Sequence, residues 1–306
     1  MPRTQKTLLC LSLFCTWQLD VSLISTPTQN QPNSYAKEIK DWRTERQNNL
    51  MADDGWLTVT GLFFLKEGHN SFGTNANNDI VLPAGPKQAG FFELKNQQVT
   101  LHADTDQTLT IKGERVSTAL LYPSPTPQEI VLESLTLLVH KSGNRLAIRM
   151  RDTASKIRQE FKGLNWYPVD KSYRVPAKFI PHEEPIKVTV QNVLGDFEEF
   201  VSHGIVRLTL DGEEIEMLPV DSDGLLWFIF RDLTSGTETY RAARFLYAEP
   251  PENGWTIIDF NRAYNPPCAF NPFTTCPLPP TMNRLKLRIE SGELDYDKNV
   301  NTGSAS

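Results

Sequence analysis

The chain has 306 residues and a formal net charge of −6, and hydrophobic residues make up 39% of it. A chain of this length buries enough apolar surface to fold without structural metals or a framework of disulfides. Its acidic balance and its lack of a Lys or Arg tract exclude non-specific attraction to nucleic acid or to anionic lipid, so no nucleic-acid partner is predicted.

The amino terminus has the layout of a secretory signal peptide. Residues 1–6 form a short cationic lead, and residues 7–17 form an apolar run that is too short to span a bilayer. A stretch rich in Ser, Thr, Pro, Gln and Asn follows and is typical of a linker. We therefore predict that residues 1–33 are a signal peptide and linker and that the protein is exported to the periplasm or the cell exterior. An uncleaved membrane anchor is the alternative; after leader removal no stable membrane span is expected.

One amphipathic helix is predicted from Ser34 to Met51. Residues with large side chains recur there at steps of three and four, with Lys and Glu between them. Ser34 is the expected N-cap, and Asp53-Asp54-Gly55 is the expected stop signal.

From Trp56 onward the pattern changes to alternation and short apolar runs, which are typical of strands. The predicted strands are Trp56 to Lys66, Gly90 to Leu94, Gln98 to Ala103, Leu109 to Lys112, Glu129 to His140, Arg145 to Arg151, Ile186 to Gln191, Gly204 to Leu210, Glu214 to Pro219, Leu225 to Arg231, Thr239 to Tyr247, Trp255 to Phe260 and Arg284 to Glu290. Residues 141–144 predict a hairpin turn between two of them.

This pattern predicts an all-β fold, mainly antiparallel, with two packed sheets or barrel-like units and one N-terminal amphipathic helix. We expect residues 34–295 to form a single β-rich domain, and residues 296–306 to be a disordered tail. If the domain divides into halves, Phe179 to Pro185 is the best boundary, because it carries two prolines and a charged run.

The segment from Asp259 to Leu285 is the most unusual part of the chain, because it contains six prolines and four asparagines. Prolines hold such a loop in a preset shape. Its polar side chains could bind a small polar ligand; they are Asp259, Asn261, Arg262, Tyr264, Asn265 and Asn283. The alternative is that they satisfy the backbone carbonyls of the loop itself.

Three arginines on strands are expected to supply positive charge beside this loop. Arg149 and Arg151 lie two residues apart and share one face of a sheet, where their charges repel unless an anion lies between them. A ligand carboxylate or phosphate could be that anion, with Asp152 beside it. The alternative is that Asp or Glu side chains of the next strand neutralise both arginines. Arg244 lies on an aromatic-flanked strand and is expected to face the same pocket.

Cys268 and Cys276 are the only cysteines outside the leader, and a disulfide between them is the first hypothesis. A metal would need further ligands, yet the loop has no histidine and the chain's five histidines are scattered, so neither metal nor cofactor is predicted. A nucleophilic cysteine would need a base or a cationic neighbour. A hydrolase using Cys268, or a carboxylate such as Asp152 or Asp259, is therefore the alternative to ligand binding.

Several parts of the chain resemble a bacterial family known only as domain of unknown function 1684. The matching segments are Trp42-Arg43, residues 55–65, Arg149 with Arg151-Asp152, residues 161–164, Phe230 with Asp232, Thr239-Tyr240, residues 244–246, the loop from Asp259 to Leu285, and Glu293. The resemblance implies one unit running from the helix to Glu293 and assigns no catalytic residue.

The sequence thus predicts an exported soluble protein of uncharacterised function with a ligand pocket beside the proline-rich loop. An envelope structural or interaction protein is a further alternative.

Overall fold

The computed structural model describes residues 32–104 and 108–296. Helix α1 spans Pro32–Met51, which confirms the predicted helix, although it begins two residues before the expected N-cap. A second helix, α2, is short and spans Lys156–Gln159. The predicted signal peptide and most of its linker lie outside the described residues, as does the predicted tail beyond Tyr296.

The strands of the first half of the chain alternate with tight turns. They are β1 Val59–Phe64, β2 Gly68–Gly73, β3 Ile80–Val81, β4 Gly90–Lys95, β5 Gln98–Ala103, β6 Thr110–Ile111, β7 Glu114–Arg115, β8 Thr118–Tyr122, β9 Ile130–Leu132, β10 Leu135–Ser142 and β11 Arg145–Asp152. The strands of the second half are β12 Arg174–Gln191, β13 Phe197–Leu210, β14 Glu213–Met217, β15 Val220–Ser222, β16 Leu225–Phe230, β17 Arg244–Ala248 and β18 Trp255–Asp259.

The first eleven strands form two sheets that pack face to face. One sheet has the order β1-β11-β10-β9-β6-β7, and the other has the order β3-β2-β4-β5-β8. Alternate residues of each strand point to the same side, so one side of each sheet supplies the core between them. Phe92 and Leu101 from one sheet and Leu137 and Ile148 from the other are fully buried in this core.

The remaining strands form a second pair of sheets. A four-stranded sheet has the order β14-β13-β12-β18, and a three-stranded sheet has the order β15-β16-β17. Val206 and Ile258 of the larger sheet pack against Phe228 and Leu246 of the smaller one. Within the described residues every pairing of named strands is antiparallel except that of β2 with β3. The prediction of a mainly antiparallel all-β fold with an N-terminal helix is therefore confirmed, and each of the four sheets is open.

Two predicted features of the second half are wrong. The segment from Arg284 to Glu290 is irregular rather than a strand, and its backbone bonds to residues 231–233 are separated, such as Leu285 N to Arg231 O at 2.8 Å. Its alternation arises because Leu285 and Ile289 face the core. Phe179 to Pro185 is not a boundary between halves but lies inside β12, where the register shifts before Ile186. Proline has no N–H to give to a ladder, so the pairing breaks there and resumes.

Helix α1 packs against the proline-rich loop and the start of β1. Leu50 is buried with Leu57, Ala269 and Phe270. Near the start of the helix, the Tyr35 hydroxyl donates to Asp259 at 2.8 Å. The proline-rich loop therefore contacts α1 near both ends of the helix, at Tyr35 and at Leu50. Among the described residues, no helix combines the length and apolar character that crossing a bilayer requires.

Candidate functional site

The outer face of β11 carries the two arginines that the sequence placed side by side. Leu146, Ile148 and Met150 point into the core, so Arg149 and Arg151 point to the opposite face, as the strand alternation requires. On that face Arg149 lies opposite Leu62 of β1 and Leu138 of β10. Neither neighbour can neutralise a charge.

Arg149 is a buried cation without a polar partner. The residue is only 8% exposed, and its Nε has no hydrogen-bond partner. Within residues 32–104 and 108–296 its guanidinium forms no ion pair. It lies over the face of Trp56, whose ring centroid is 5.3 Å from Cζ, and Glu198 interacts with it electrostatically. Burial, reinforced by the charge of Arg151, lowers the pKa of Arg149 to about 10. The folded chain therefore holds this charge at a cost.

Arg151 differs from Arg149 because it has a carboxylate partner. Its Nη1 lies 3.0 Å from Oε1 of Glu129. Asp152 also has a partner, because its Oδ1 accepts a hydrogen bond from the backbone N–H of Ala154 at 2.9 Å in the turn after β11. The alternative of neutralisation by a neighbouring carboxylate therefore holds for one arginine of the pair and not for the other.

A cavity of about 320 Å³ lies between this sheet face and the proline-rich loop, and we call it the Arg149 cavity. Its lining consists of Arg46, Trp56, His140, Arg149, Trp227, Phe245, Tyr247, Tyr264, Pro267, Thr274, Thr275, Cys276 and Pro277. These residues include two arginines and five residues with large aromatic rings, and none of them is Asp or Glu. Tyr247 is 39% exposed and marks the mouth.

The aromatic residues of the cavity form a continuous wall from β16 and β17 to the loop. Trp227 meets Phe245 edge to face with ring centroids 4.9 Å apart, and it stacks on Tyr247 at 6.0 Å. Tyr247 in turn stacks on Tyr264 at 6.4 Å. The indole Nε1 of Trp227 is buried and has no hydrogen-bond partner. The wall thus carries a second unused N–H donor besides that of Arg149.

His140 and Thr275 form a hydrogen-bonded pair in the same cavity. His140 Nε2 lies 2.9 Å from Thr275 Oγ1, which is the separation found between a base and a hydroxyl nucleophile. However, burial and the charge of Arg149 lower the pKa of His140 to about 4, so the ring is neutral near pH 7 and is a weak base. The pair therefore supplies neutral polar groups to the cavity rather than an activated nucleophile.

The predicted disulfide is not formed, because Cys268 and Cys276 are both free thiols. The backbone N–H of Cys268 instead donates to Sγ of Cys276 at 3.2 Å. Sequence spacing does not define how two cysteines are oriented, and the loop is already tied to β12 by Leu278 N to Gln191 O at 2.8 Å. Burial raises the pKa of Cys276, whereas its hydrogen bond to Cys268 lowers the pKa of Cys268.

A second cavity, of about 680 Å³, lies between α1 and the strands β17 and β18. Asp259, Arg262 and Tyr264 line it, as predicted for one pocket beside the loop. The charges at Asp259 and Arg262 are paired: Nε of Arg262 and Nε of Arg174 lie 3.8 and 3.9 Å from Oδ2 of Asp259, and Arg262 also pairs with Glu38. This cavity therefore offers no unpaired charge at Asp259 or Arg262.

Arg244 does not face either cavity. It is fully buried and its Nη1 pairs with Oδ2 of Asp232 at 3.1 Å. Its Nη1 and Nη2 also hold the last segment of the domain, by donating to the backbone oxygens of Ile289 and Ser291, while its Nε has no partner. The sequence suggested a shared hollow for three arginines, but only Arg149 lines the Arg149 cavity, and Arg244 cross-links the chain.

The loop asparagines hold the backbone of other segments in place, whereas the alternative left open by the sequence was that they satisfy the carbonyls of the loop itself. Asn283 accepts from the N–H of Leu218 at 2.7 Å and donates to Leu218 O at 2.9 Å. Asn261 forms the same two-way bond with Asp170, and Asn265 donates to Leu294 O at 2.8 Å. These buried amides tie the loop to three distant segments of the chain, at residues 170, 218 and 294.

Trp56, His140, Trp227 and Thr275 line the Arg149 cavity and were not predicted as site residues. One of them, His140, could have been found from the hairpin predicted at residues 141–144. Its register places His140 opposite Ala147, hence on the face that Arg149 shares. The two tryptophans lie far from β11 in sequence, and nothing in the local pattern indicates that they meet it. In the described part of the chain, no three His, Cys, Asp or Glu side chains gather as a metal site would require.

Comparisons with known proteins identify the family. The family model described as "Protein of unknown function (DUF1684)" matches residues 159–294. The solution NMR structure of an uncharacterized protein from Haloarcula marismortui is 31% identical, over 45% of this chain and 78% of that chain, with a TM-score of 0.38. No curated protein matches the chain. Residues 159–294 therefore match the DUF1684 family, which confirms the resemblance predicted from the proline-rich loop.

The family match covers only part of the Arg149 cavity. The loop and the aromatic wall fall within residues 159–294, whereas Trp56, His140 and Arg149 precede them. The resemblance seen in the sequence extended over nearly the whole chain after the leader, and the family model supports its second half. The cation of the cavity thus comes from the sheets that precede the matched segment.

Proposed function

We propose that this protein binds a small organic anion in the Arg149 cavity. The observation that carries the proposal is the guanidinium of Arg149, which is buried at the cavity wall, forms no ion pair among the described residues, and has an Nε without a hydrogen-bond partner. Glu198 interacts with it only electrostatically, and burial raises the pKa of that carboxyl. A buried charge without a partner costs free energy and is normally paired. An anionic ligand would supply the missing partner.

The charges around the cavity favour an anion over a cation or a neutral solute. Arg149 and Arg46 both line it, and no Asp or Glu does. Nε of Arg46 pairs with Glu293 at 3.3 Å, whereas Arg149 has only an electrostatic interaction with Glu198, which itself accepts from Asn192 at 2.9 Å. The chain as a whole carries a net charge of −6, whereas the charged residues that line this cavity are both positive.

Thermal unfolding in the presence of small anions tests the proposal. A ligand present at about 100 times its Kd stabilises the folded state by about 2.7 kcal/mol, which raises Tm by roughly 5–10 °C for a domain of this size. We expect such a shift for one or more organic anions and its loss in Arg149→Gln. Arg151→Gln is the matched control, since it removes a neighbouring charge outside the cavity lining, and it should keep the shift. A panel that produces no shift, or a shift that survives in Arg149→Gln, would contradict the proposal.

We also propose that the protein acts outside the cytoplasm. The support is the cationic lead and apolar run of residues 1–33. The measurement is the mass of the mature amino terminus after expression of the full chain in a bacterial host with fractionation of the cells. Export predicts a shortened chain in the periplasmic or extracellular fraction, and an intact Met1 in the cytosol would contradict it.

A further inference from the structure

We infer that the ligand of the Arg149 cavity is a flat aromatic or conjugated monocarboxylate, an inference that rests on the function proposed above. Three features of the cavity carry it: the character of its walls, the two donors that lack partners, and the near absence of the donors that phosphate requires. Each is independent of the others.

The walls favour a flat ring. Trp56 and the connected wall of Trp227, Phe245, Tyr247 and Tyr264 surround a volume of about 320 Å³. That volume is near the lower limit of small-molecule pockets, so it suits one or two fused rings. Aromatic side chains favour stacked or edge-on contacts with another ring, and such contacts add to the gain from burying its area.

The donors favour a carboxylate. Nε of Arg149 and Nε1 of Trp227 are both buried without a hydrogen-bond partner, and both residues line the cavity. A carboxylate has two oxygens that accept in one plane, and arginine binds such groups through parallel N–H bonds. The neutral pair of His140 and Thr275 offers further polar contact without adding a competing negative charge.

The loop side of the cavity disfavours phosphate. Phosphate sites are typically built from clustered backbone N–H groups at a helix N-terminus or a glycine-rich turn. Here Pro267 and Pro277 supply part of the loop wall, and proline has no backbone N–H. The lining also contains no glycine and no lysine. Because Arg46 is already paired with Glu293, Arg149 is the one lining guanidinium without an ion pair, and it matches a single negative charge better than a phosphoryl group.

Calorimetric titration with matched compounds tests the ligand class, with tryptophan fluorescence as a second readout because Trp56 and Trp227 line the cavity. The probes are 1-naphthoate, its neutral isostere 1-naphthamide, the non-planar cyclohexanecarboxylate, 1-naphthyl phosphate and inorganic phosphate. We expect naphthoate to bind and to quench tryptophan emission. We expect each of the other four to bind at least about tenfold more weakly, since each lacks the planar ring, the single charge or both.

Two variants locate the bound carboxylate. Trp227→Phe retains a ring but removes the indole N–H, so naphthoate should bind several-fold more weakly while naphthamide is little affected. Arg149→Gln should weaken naphthoate by at least about thirtyfold. Arg151→Gln serves as the control and should leave both affinities unchanged; circular dichroism verifies that each variant is folded.

The outcomes separate the ligand class from the proposed function. If 1-naphthyl phosphate or cyclohexanecarboxylate binds as tightly as naphthoate and depends on Arg149, anion binding stands and the inference of a flat monocarboxylate is overturned. If naphthamide binds as tightly as naphthoate, the inferred role of the carboxylate is overturned. If none of the anions binds and the thermal panel also shows no shift, both the inference and the proposed function are overturned.

Discussion

Replacing Arg149 by methionine should make the ligand-free protein more stable. Burial lowers the pKa of this guanidinium to about 10 from an ordinary value of 12.5. At about 1.4 kcal/mol for each unit of pKa, this amounts to about 3 kcal/mol against the charged form in the folded chain. Because the folded pKa lies below the unfolded one, the full cost applies at every pH below 10 and is relieved only as the pH rises from there toward 12.5.

Part of this gain is offset by the contact with Trp56 that the substitution removes. A cation over an aromatic face contributes about 1 kcal/mol when partly desolvated, so a net stabilisation of about 2 kcal/mol is expected. Methionine has similar length and fills irregular space without a charge. The result would resemble other cases in which apolar residues replace buried ionic groups and stability rises by about 1–4 kcal/mol.

Urea unfolding of the ligand-free protein at pH 7 measures this change, with the slope of the transition compared between variants to detect altered compactness. Arg151→Met is the control, since Arg151 already pairs with Glu129, and losing an exposed pair should cost less than about 1 kcal/mol. If Arg149→Met instead destabilises the protein by 1 kcal/mol or more, the guanidinium must have favourable partners in the free protein. The argument that a ligand completes the site would then be refuted.

Three further predictions concern the groups around the site. Asp232→Ala leaves a buried guanidinium unpaired and should cost about 3–5 kcal/mol in urea unfolding, whereas Arg288→Gln at the exposed surface should leave the curve nearly unchanged. Because burial lowers the pKa of His140 to about 4, the wild type should lose stability as the pH falls from 6.5 toward 4; in His140→Asn that part of the loss should disappear from the pH dependence of Tm. Alkylation followed by peptide mass mapping should modify Cys268 in the native protein and Cys276 only after unfolding, and equal reaction rates would contradict the burial of Cys276.

The regular elements could be predicted because their patterns are local. The strand from Gln98 to Ala103 was predicted to the residue, and α1 differs only at its first turn. The alternation of β11 also sufficed to place Arg149 and Arg151 on one face. Strands β3, β7 and β15 were not predicted, because each is only two or three residues long and shows no clear alternation.

The site could be predicted only in part, because its decisive contacts are long-range. No local pattern distinguishes Arg149 from Arg151, since the difference is that Glu129 reaches one and not the other. Arg244 looked equally available until the fold brought the backbone of residues 289–291 to its guanidinium. The unusual composition of the proline-rich loop indicated a segment that lines the cavity through Pro267 and Pro277, whereas its asparagines bind the backbone of other segments.

A crystal structure of the protein with 1-naphthoate would show whether Arg149 binds the carboxylate of a flat ligand. We expect the carboxylate within hydrogen-bond distance of Arg149 and of Nε1 of Trp227, with the naphthalene ring against the aromatic wall. A complex in which the naphthoate lies elsewhere, while Arg149 keeps the same surroundings as in the free protein, would contradict it.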